Sequence, residues 1–405
     1  MEQGKEQKLL TRENLINLAV LMSISLLTMS GMNISPALKT ISLQFPEESN
    51  EAIQSLVTLP SLFIVFSSLL SSPISKLITK KKTILLGSMF FTISGLIPIF
   101  FNSFRIMRIS RMLIGIGIGF ISPLSSAILF SLFTDSYQRN MVIGWQGCGT
   151  AIGSIIATNL AGLLAGIDYH LAFLVHLIGL LTFLINLFFL PQDSLVKKKE
   201  KGKATSLIEI IKNINPMIVF WYFSMFFYMG YLNAFSTKIS LLIESSGLGT
   251  SAVSALGITL LTVGSFTGGL WYGVISKQLR AFTTGCGIII SSLGLMFLAI
   301  GKNPAMVYLS GVFTGLGMSM TTPGFLVGVV EAANKENRTL AIAVNGVFSN
   351  LGLSLSPYLT AFTTSIFCGV GKTLRDEYFV SSIALIIMGI FGLVLSIRKI
   401  VRKTI

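Results

Sequence analysis

Apolar runs of about twenty residues alternate with short polar connections along the whole chain. At 1.5 Å of rise per residue, each run is long enough to cross the hydrocarbon of a bilayer as a helix. The pattern predicts twelve spans, at approximately 15–38, 53–75, 83–102, 108–133, 141–166, 170–191, 216–243, 251–276, 281–300, 304–330, 339–365 and 378–398. The first run is too long for a signal-peptide core and lacks a small-x-small cleavage site, so it is read as a span. One long hydrophilic stretch interrupts the rhythm, Pro191 to Thr205, with Lys197 to Lys203 as its basic centre. It divides the chain into a bundle over 1–191, a cytoplasmic basic linker over 192–215 and a bundle over 216–405. Within the linker, Ser206 with Glu209 three residues later fits either a short helix on the inner membrane surface or the lead-in to the seventh span.

The two bundles share a pattern. Arg111-Met-Leu-Ile-Gly-Ile-Gly-Ile-Gly-Phe-Ile-Ser-Pro123 is echoed about 200 residues later by Thr314 to Pro323, with Gly315 for Gly115 and Gly317 for Gly117. The register continues through Arg139, Gly147 and Gly153, matched by Arg338, Gly346 and Gly352. Ile74-Ser75-Lys76 returns as Ile275-Ser276-Lys277. A repeat of half the chain length, with glycines set in apolar sequence, is a transporter signature; solenoids repeat at much shorter periods.

Composition agrees. The chain is 52% hydrophobic and 11% charged, with a net charge of +14, and its mean hydropathy is +0.78. In a soluble protein that charge would suggest nucleic acid; here the basic residues fall in short connections, where they set topology. Lys76, Lys80, Lys81, Lys82, Arg139, the linker lysines, Lys277, Arg280, Lys335, Arg338 and the C-terminal tail mark one side. Glu47, Glu48, Glu51, Asp168, Glu244, Asp376 and Glu377 mark the other, which places both termini in the cytoplasm. Cys148, Cys286 and Cys368 are far apart and show no metal-ligand spacing, so neither a metal nor another cofactor is expected.

The motif Arg111-xxx-Gly115-x-Gly117-x-Gly119 resembles that of the fourth span in the major facilitator superfamily. The loop Ser72-Pro73-Ile74-Ser75-Lys76-Leu77-Ile78-Thr79-Lys80-Lys81-Lys82 is similar to that family's loop between spans two and three. It departs where Lys76 replaces an aspartate and where Ser72 and Thr79 replace glycines. The resemblance implies an all-α membrane fold of two pseudo-symmetric six-helix bundles, and a gating role for Ser72, Pro73, Lys76, Lys80, Lys81, Lys82, Lys277 and Arg280. A lysine in place of the aspartate would favour a helix C-terminus or a lipid phosphate. In the fifth span, Gly149 and Gly153 keep the paired glycines of drug-exporting members, with Ser154, Ala157 and Thr158 where proline and two further glycines would stand. The resemblance is therefore to the bacterial twelve-span drug-exporter branch, although close helix packing alone also explains small residues at that spacing.

Family resemblance also implies a cavity lined by spans one, four, seven and ten, which makes Met29, Asn33, Arg111, Tyr228, Tyr231, Asn233, Met318 and Met320 the candidates for substrate contact. Methionine and tyrosine suit varied apolar shapes, and Met22, Ser25, Met29 and Met32 fall on one helical face. Ordinary packing accounts for the same stripe. Arg105 and Arg108 are read as reaching toward the outer headgroups and Arg111, deeper, toward the cavity. Lys39 and Lys238 are read as outer anchors. Proton-coupled members hold a carboxylate within a span, whereas the acids here fall in loops, tails or span ends. Glu331 and His176 are the coupling candidates, each with a structural alternative, an ion pair for Glu331 and packing for His176.

These readings predict a monomeric, multi-pass protein of the plasma or inner membrane that works as a proton-linked exporter of amphipathic or lipophilic small molecules. The alternative is a carrier of a small organic anion using Arg111. A receptor is disfavoured by the absence of a long soluble domain, and an enzyme by the lack of any nucleophile, base or metal set. No nucleic-acid partner is expected.

Overall fold

The computed structural model describes residues 12–28, 34–132, 136–190, 216–333, 338–369 and 373–404. Among them, every regular element is helical. Contacts divide the chain into two compact units, 1–195 with 243–259, and 196–242 with 260–405.

The first unit comprises α1 (Arg12–Thr28), a 3₁₀ turn at Ser35–Ala37, α2 (Leu38–Gln44), α3 (Asn50–Ile78), α4 (Lys80–Phe100), α5 (Phe104–Leu132), α6 (Ser136–Ala165), a 3₁₀ segment at Leu171–Leu177 and α7 (Ile178–Phe189). Its core joins Val20, Leu21 and Ile24 of α1 to Ile84 and Phe91 of α4 and to Ile114, Ile118 and Ile121 of α5. Beyond the linker follow α8 (Pro216–Leu232), α9 (Ala234–Ser245), α10 (Ser251–Leu279), α11 (Thr283–Ile300), α12 (Pro304–Ala332), α13 (Arg338–Cys368) and α14 (Leu374–Thr404).

Among the described residues, nine stretches are long and apolar enough to cross a membrane. The other three of the twelve expected spans coincide with α1, α5 and α6. Among the described side chains the apolar stretches of α1 and α6, Leu15–Leu27 and Gly149–Ala165, are shorter, and α5 carries Arg105, Arg108 and Arg111 near its start. Two spans differ from their expected form. The first is helical over Arg12–Thr28 and again over Leu38–Gln44, with residues 29–33 outside the described residues, and the seventh is interrupted at Asn233. The large side chains of Leu77, Phe188, Leu270 and Phe367 face outward, while Ser88, Thr182, Ser291 and Thr360 are buried and hydrogen-bonded. That polarity suits lipid, where apolar contact with the surroundings costs nothing and polar groups must be satisfied inside.

Helix ends and prolines show how backbone groups are satisfied. Ser49 accepts from Ala52 N at 3.1 Å to start α3, and Asn303 accepts from Met306 N at 3.0 Å ahead of Pro304 to start α12. Pro98 cannot donate to the carbonyl four residues back, that of Ser94, and Ser110 Oγ of α5 donates to it instead at 2.6 Å. Pro357 frees the carbonyl of Leu353 in the same way, and Asn233 Nδ2 donates to it at 3.1 Å.

The repeat extends to contacts inside each unit. Ser110 Oγ donates to Ser94 O, and Ser310 Oγ to Gly294 O, both at 2.6 Å. A Cβ at Gly117 would lie 2.6 Å from Gly87 O, and one at Gly317 2.5 Å from Gly287 O, so both helix pairs approach to backbone contact.

Candidate functional site

Each unit encloses a cationic side chain among helices. In the first, α5 carries Arg111 into the interior with no exposed surface, whereas Arg105 and Arg108 are exposed. Its Nη1 lies 3.4 Å from His176 Nε2, and its Cζ stands 5.1 Å from the centre of the Phe173 ring. His176 Nδ1 is 2.8 Å from Phe173 O. A carbonyl only accepts, so Nδ1 carries the proton, and the neutral imidazole offers Nε2 as acceptor to the guanidinium. Gly95 makes room for the ring: a Cβ there would fall 2.6 Å from His176 Cδ2. Arg111 Nε and Nη2 are buried with no hydrogen-bond partner. Among the described residues the ion pairs are Asp168–His170 and Lys238–Glu377, so no carboxylate neutralises this arginine. The sequence gives no sign of this contact, since residues 111 and 176 are joined only by the fold.

The second unit holds the larger surprise. Lys238 on α9 and Glu377 at the start of α14 form a buried ion pair, with side chains 0% and 7% exposed. Lys238 Nζ also donates to Thr360 Oγ1 of α13, at 2.5 Å. The reading of Lys238 as an outer anchor and of Glu377 as part of an external connection is therefore corrected. Both side chains turn inward, because a lysine among Phe235, Ile239 and Leu241, all buried, needs a counter-charge there. Beside the pair, Tyr378 OH donates to Ala234 O at 3.1 Å, and Ser356 Oγ donates to Gly230 O at 2.6 Å. These contacts satisfy the backbone around the break at Asn233.

The other candidates lie as follows. Met29 and Asn33 fall outside the described residues. Tyr228 is buried, its hydroxyl 2.9 Å from Ser291 Oγ. Tyr231 is half-buried and stacks on Phe227 at 6.5 Å between ring centres. Asn233 occupies the helix break. Met320 is buried and Met318 half-buried. Glu331 is exposed at the end of α12; its expected partners, Lys335 and the side chain of Arg338, lie outside the described residues.

In the loop between spans two and three, Pro73 is exposed and the side chains of Ser72 and Lys76 lie outside the description. Lys80 is half-buried, and Lys82, Lys277 and Arg280 are exposed. Lys81 Nζ donates to Leu190 O at 2.6 Å, the C-cap of α7, so a lysine five positions after Lys76 meets the helix C-terminus. Thr79 has φ 82°, and its counterpart in the repeat, Arg280, has φ 48°. Thr79 also has ψ 154°, a combination that only glycine adopts freely. Thr79→Gly is expected to stabilise the protein by about 1 kcal/mol, the relieved strain exceeding the weak cap on Lys82 N, and Arg280→Gly by less. Thermal unfolding of the purified variants measures both.

A duplicated multi-span helical bundle is the architecture in which secondary membrane transporters are built. The sequence pattern of the Major Facilitator Superfamily matches residues 20–357 and 250–403, and the chain belongs to that family. The family is one of transporters, not enzymes, and among the described residues no group of His, Cys, Asp or Glu could hold a metal ion. The chain is 26% identical over 168 residues to Multidrug resistance protein 2 of Bacillus subtilis, covering 40% of this chain and 42% of that protein. To Sugar transport protein 11 of Arabidopsis thaliana it is 24% identical over 176 residues, covering 42% and 34%. It thus spans less than half the length of these relatives. Among solved structures, the nucleoside transporter NupG is similar with a TM-score of 0.74 at 12% identity, over 93% of this chain and 99% of that one. That likeness shows the fold.

Proposed function

We propose that this secondary transporter is a proton-linked exporter of amphipathic or lipophilic small molecules. It works as a monomer by alternating access of the halves 1–191 and 216–405, with both termini cytoplasmic. The observation that carries the reading is an aromatic strip on α8. Phe223, Phe227 and Tyr231 recur at four-residue steps, with Phe223 49% and Phe227 40% exposed. Rings on one helical face offer broad apolar contact with few directional demands, and the partial likeness to a multidrug resistance protein supports the same substrate class. Expression is expected to protect cells from ethidium. Tyr231→Ala is expected to raise the half-saturating ethidium concentration about tenfold, a loss of roughly 1.4 kcal/mol of aromatic contact; equal transport by the variant would remove the strip from the site.

A second reading, a carrier for a small organic anion, is favoured by the two unpartnered guanidinium nitrogens of Arg111. If cells expressing the protein resist ethidium and Arg111→Ala leaves that resistance unchanged, the anion reading fails.

A further inference from the structure

Among the described residues, Arg111 and Lys238 are the two buried cations, and they are accommodated differently. Lys238 comes with the carboxylate of Glu377. Arg111 comes with the neutral imidazole of His176 and the ring of Phe173, neither of which brings a negative charge. The repeat offers no second copy of it. Ser110 and Ser310 make the same hydrogen bond to the preceding helix, so Gly311 stands where the first unit has Arg111. A guanidinium does not give up its proton in a protein, and with no exposed surface this one cannot reach water by snorkelling.

The unpartnered atoms form a pattern. Nη1 faces His176 Nε2 at 3.4 Å, whereas Nε and Nη2 are buried without a partner. Those two nitrogens share one edge of the planar guanidinium, with N–H bonds side by side, the fork that takes an anion through two charge-assisted hydrogen bonds. The fork is held in place from behind. His176 is fixed by Phe173 O at 2.8 Å and by the room left at Gly95, and the Phe173 ring stands 5.1 Å from Arg111 Cζ.

We propose that Nε and Nη2 of Arg111 hold a small monovalent inorganic anion, with chloride as its simplest form, as a resident counter-ion of the first unit. The described acidic side chains of this unit stand near helix ends: Glu47, Glu48 and Glu51 around the start of α3, Asp168 after α6 beside His170, and Glu244 at the end of α9. None of them forms an ion pair with Arg111. Water would satisfy the two N–H groups but leave the charge uncompensated in an apolar interior. One negative charge neutralises the guanidinium, whereas a divalent anion would leave an excess of the opposite sign. The proposal goes beyond both transport readings. The organic-anion reading uses the same nitrogens for a cargo that leaves in each cycle, while a resident ion stays and keeps the guanidinium against His176 and Phe173 whatever solute is carried.

The test uses the full-length protein purified in detergent with gluconate as the buffer anion, a species too large for an enclosed site. Radiolabelled chloride should bind saturably at a single site per chain. Arg111→Gln should weaken that binding at least about tenfold. Arg111→Lys keeps the charge without the fork and should weaken it less, and Arg108→Gln, exposed on the same helix, should leave it unchanged. Replacing gluconate by chloride at constant ionic strength should raise the unfolding midpoint of the wild type by several degrees and leave that of Arg111→Gln where it is. A wild type with neither saturable chloride binding nor a chloride-dependent midpoint overturns the proposal without any variant, and so does undiminished binding in either Arg111 variant. Proteoliposomes loaded with the label separate a resident ion from a cargo. Retention equal to that of protein-free vesicles supports the resident role, and faster loss overturns it in favour of anion transport.

Discussion

Glu377→Ala is expected to destabilise the second unit by about 3–5 kcal/mol, because it leaves the ammonium of Lys238 inside the bundle without its counter-charge. Lys238→Ala should cost a similar amount for the mirrored reason, a buried carboxylate that has lost its ion-pair partner. The double variant, Lys238→Ala with Glu377→Ala, should recover much of the loss, since deleting both ends removes the desolvated charges and leaves a cavity in their place. Thermal unfolding in detergent of the two single variants and the double closes the cycle. If the single variants are no less stable than the wild type, the two side chains meet water and the buried pair does not exist. The measurement is independent of transport, so it bears on the geometry alone.

What the sequence made legible, and what it hid, follow from how local the signals are. The spans and the half-chain repeat are written in consecutive residues, and the glycines at 115, 117, 315 and 317 keep register because backbone contact tolerates no side chain there. The charge pair is different. Lys238 and Glu377 lie 139 residues apart, and each stands about two turns or less from a connection, so each alone resembles an end-of-span anchor. The one local hint was Lys238 within the apolar run Ala234 to Ile243, where a lone cation costs about 2.5–3.5 kcal/mol at mid-span. Arg111 stands out by its motif and His176 as a histidine within a span, a coupling candidate with packing as its alternative, but the helix contact that joins the two has no trace in spacing. The break at Asn233 was equally silent. It depends on the carbonyl that Pro357 frees on another helix, and sequence shows the proline but not which side chain answers it.

The repeat itself makes a demand that can be measured. Gly117→Leu and Gly317→Leu are each expected to abolish well-folded protein. At 117 the first added carbon would sit 2.6 Å from Gly87 O, and at 317 it would sit 2.5 Å from Gly287 O and among Ser291 atoms. Overpacking a core costs about 1–3 kcal/mol where flexible side chains give way. Here the obstacle is backbone carbonyl on a neighbouring helix, so α4 must separate from α5, or α11 from α12, and the loss should exceed that range. Separation would also strain the matched hydrogen bonds Ser110–Ser94 and Ser310–Gly294. Gly346→Leu is the control, since a Cβ at that glycine meets nothing within 4 Å, and it should purify like the wild type. Yield of monodisperse protein in detergent reads all three. Equal failure at 117 and 317 would mean that the duplicated glycines carry the same packing duty in both units, whereas a tolerated leucine at either would show that the repeat survives there in sequence alone.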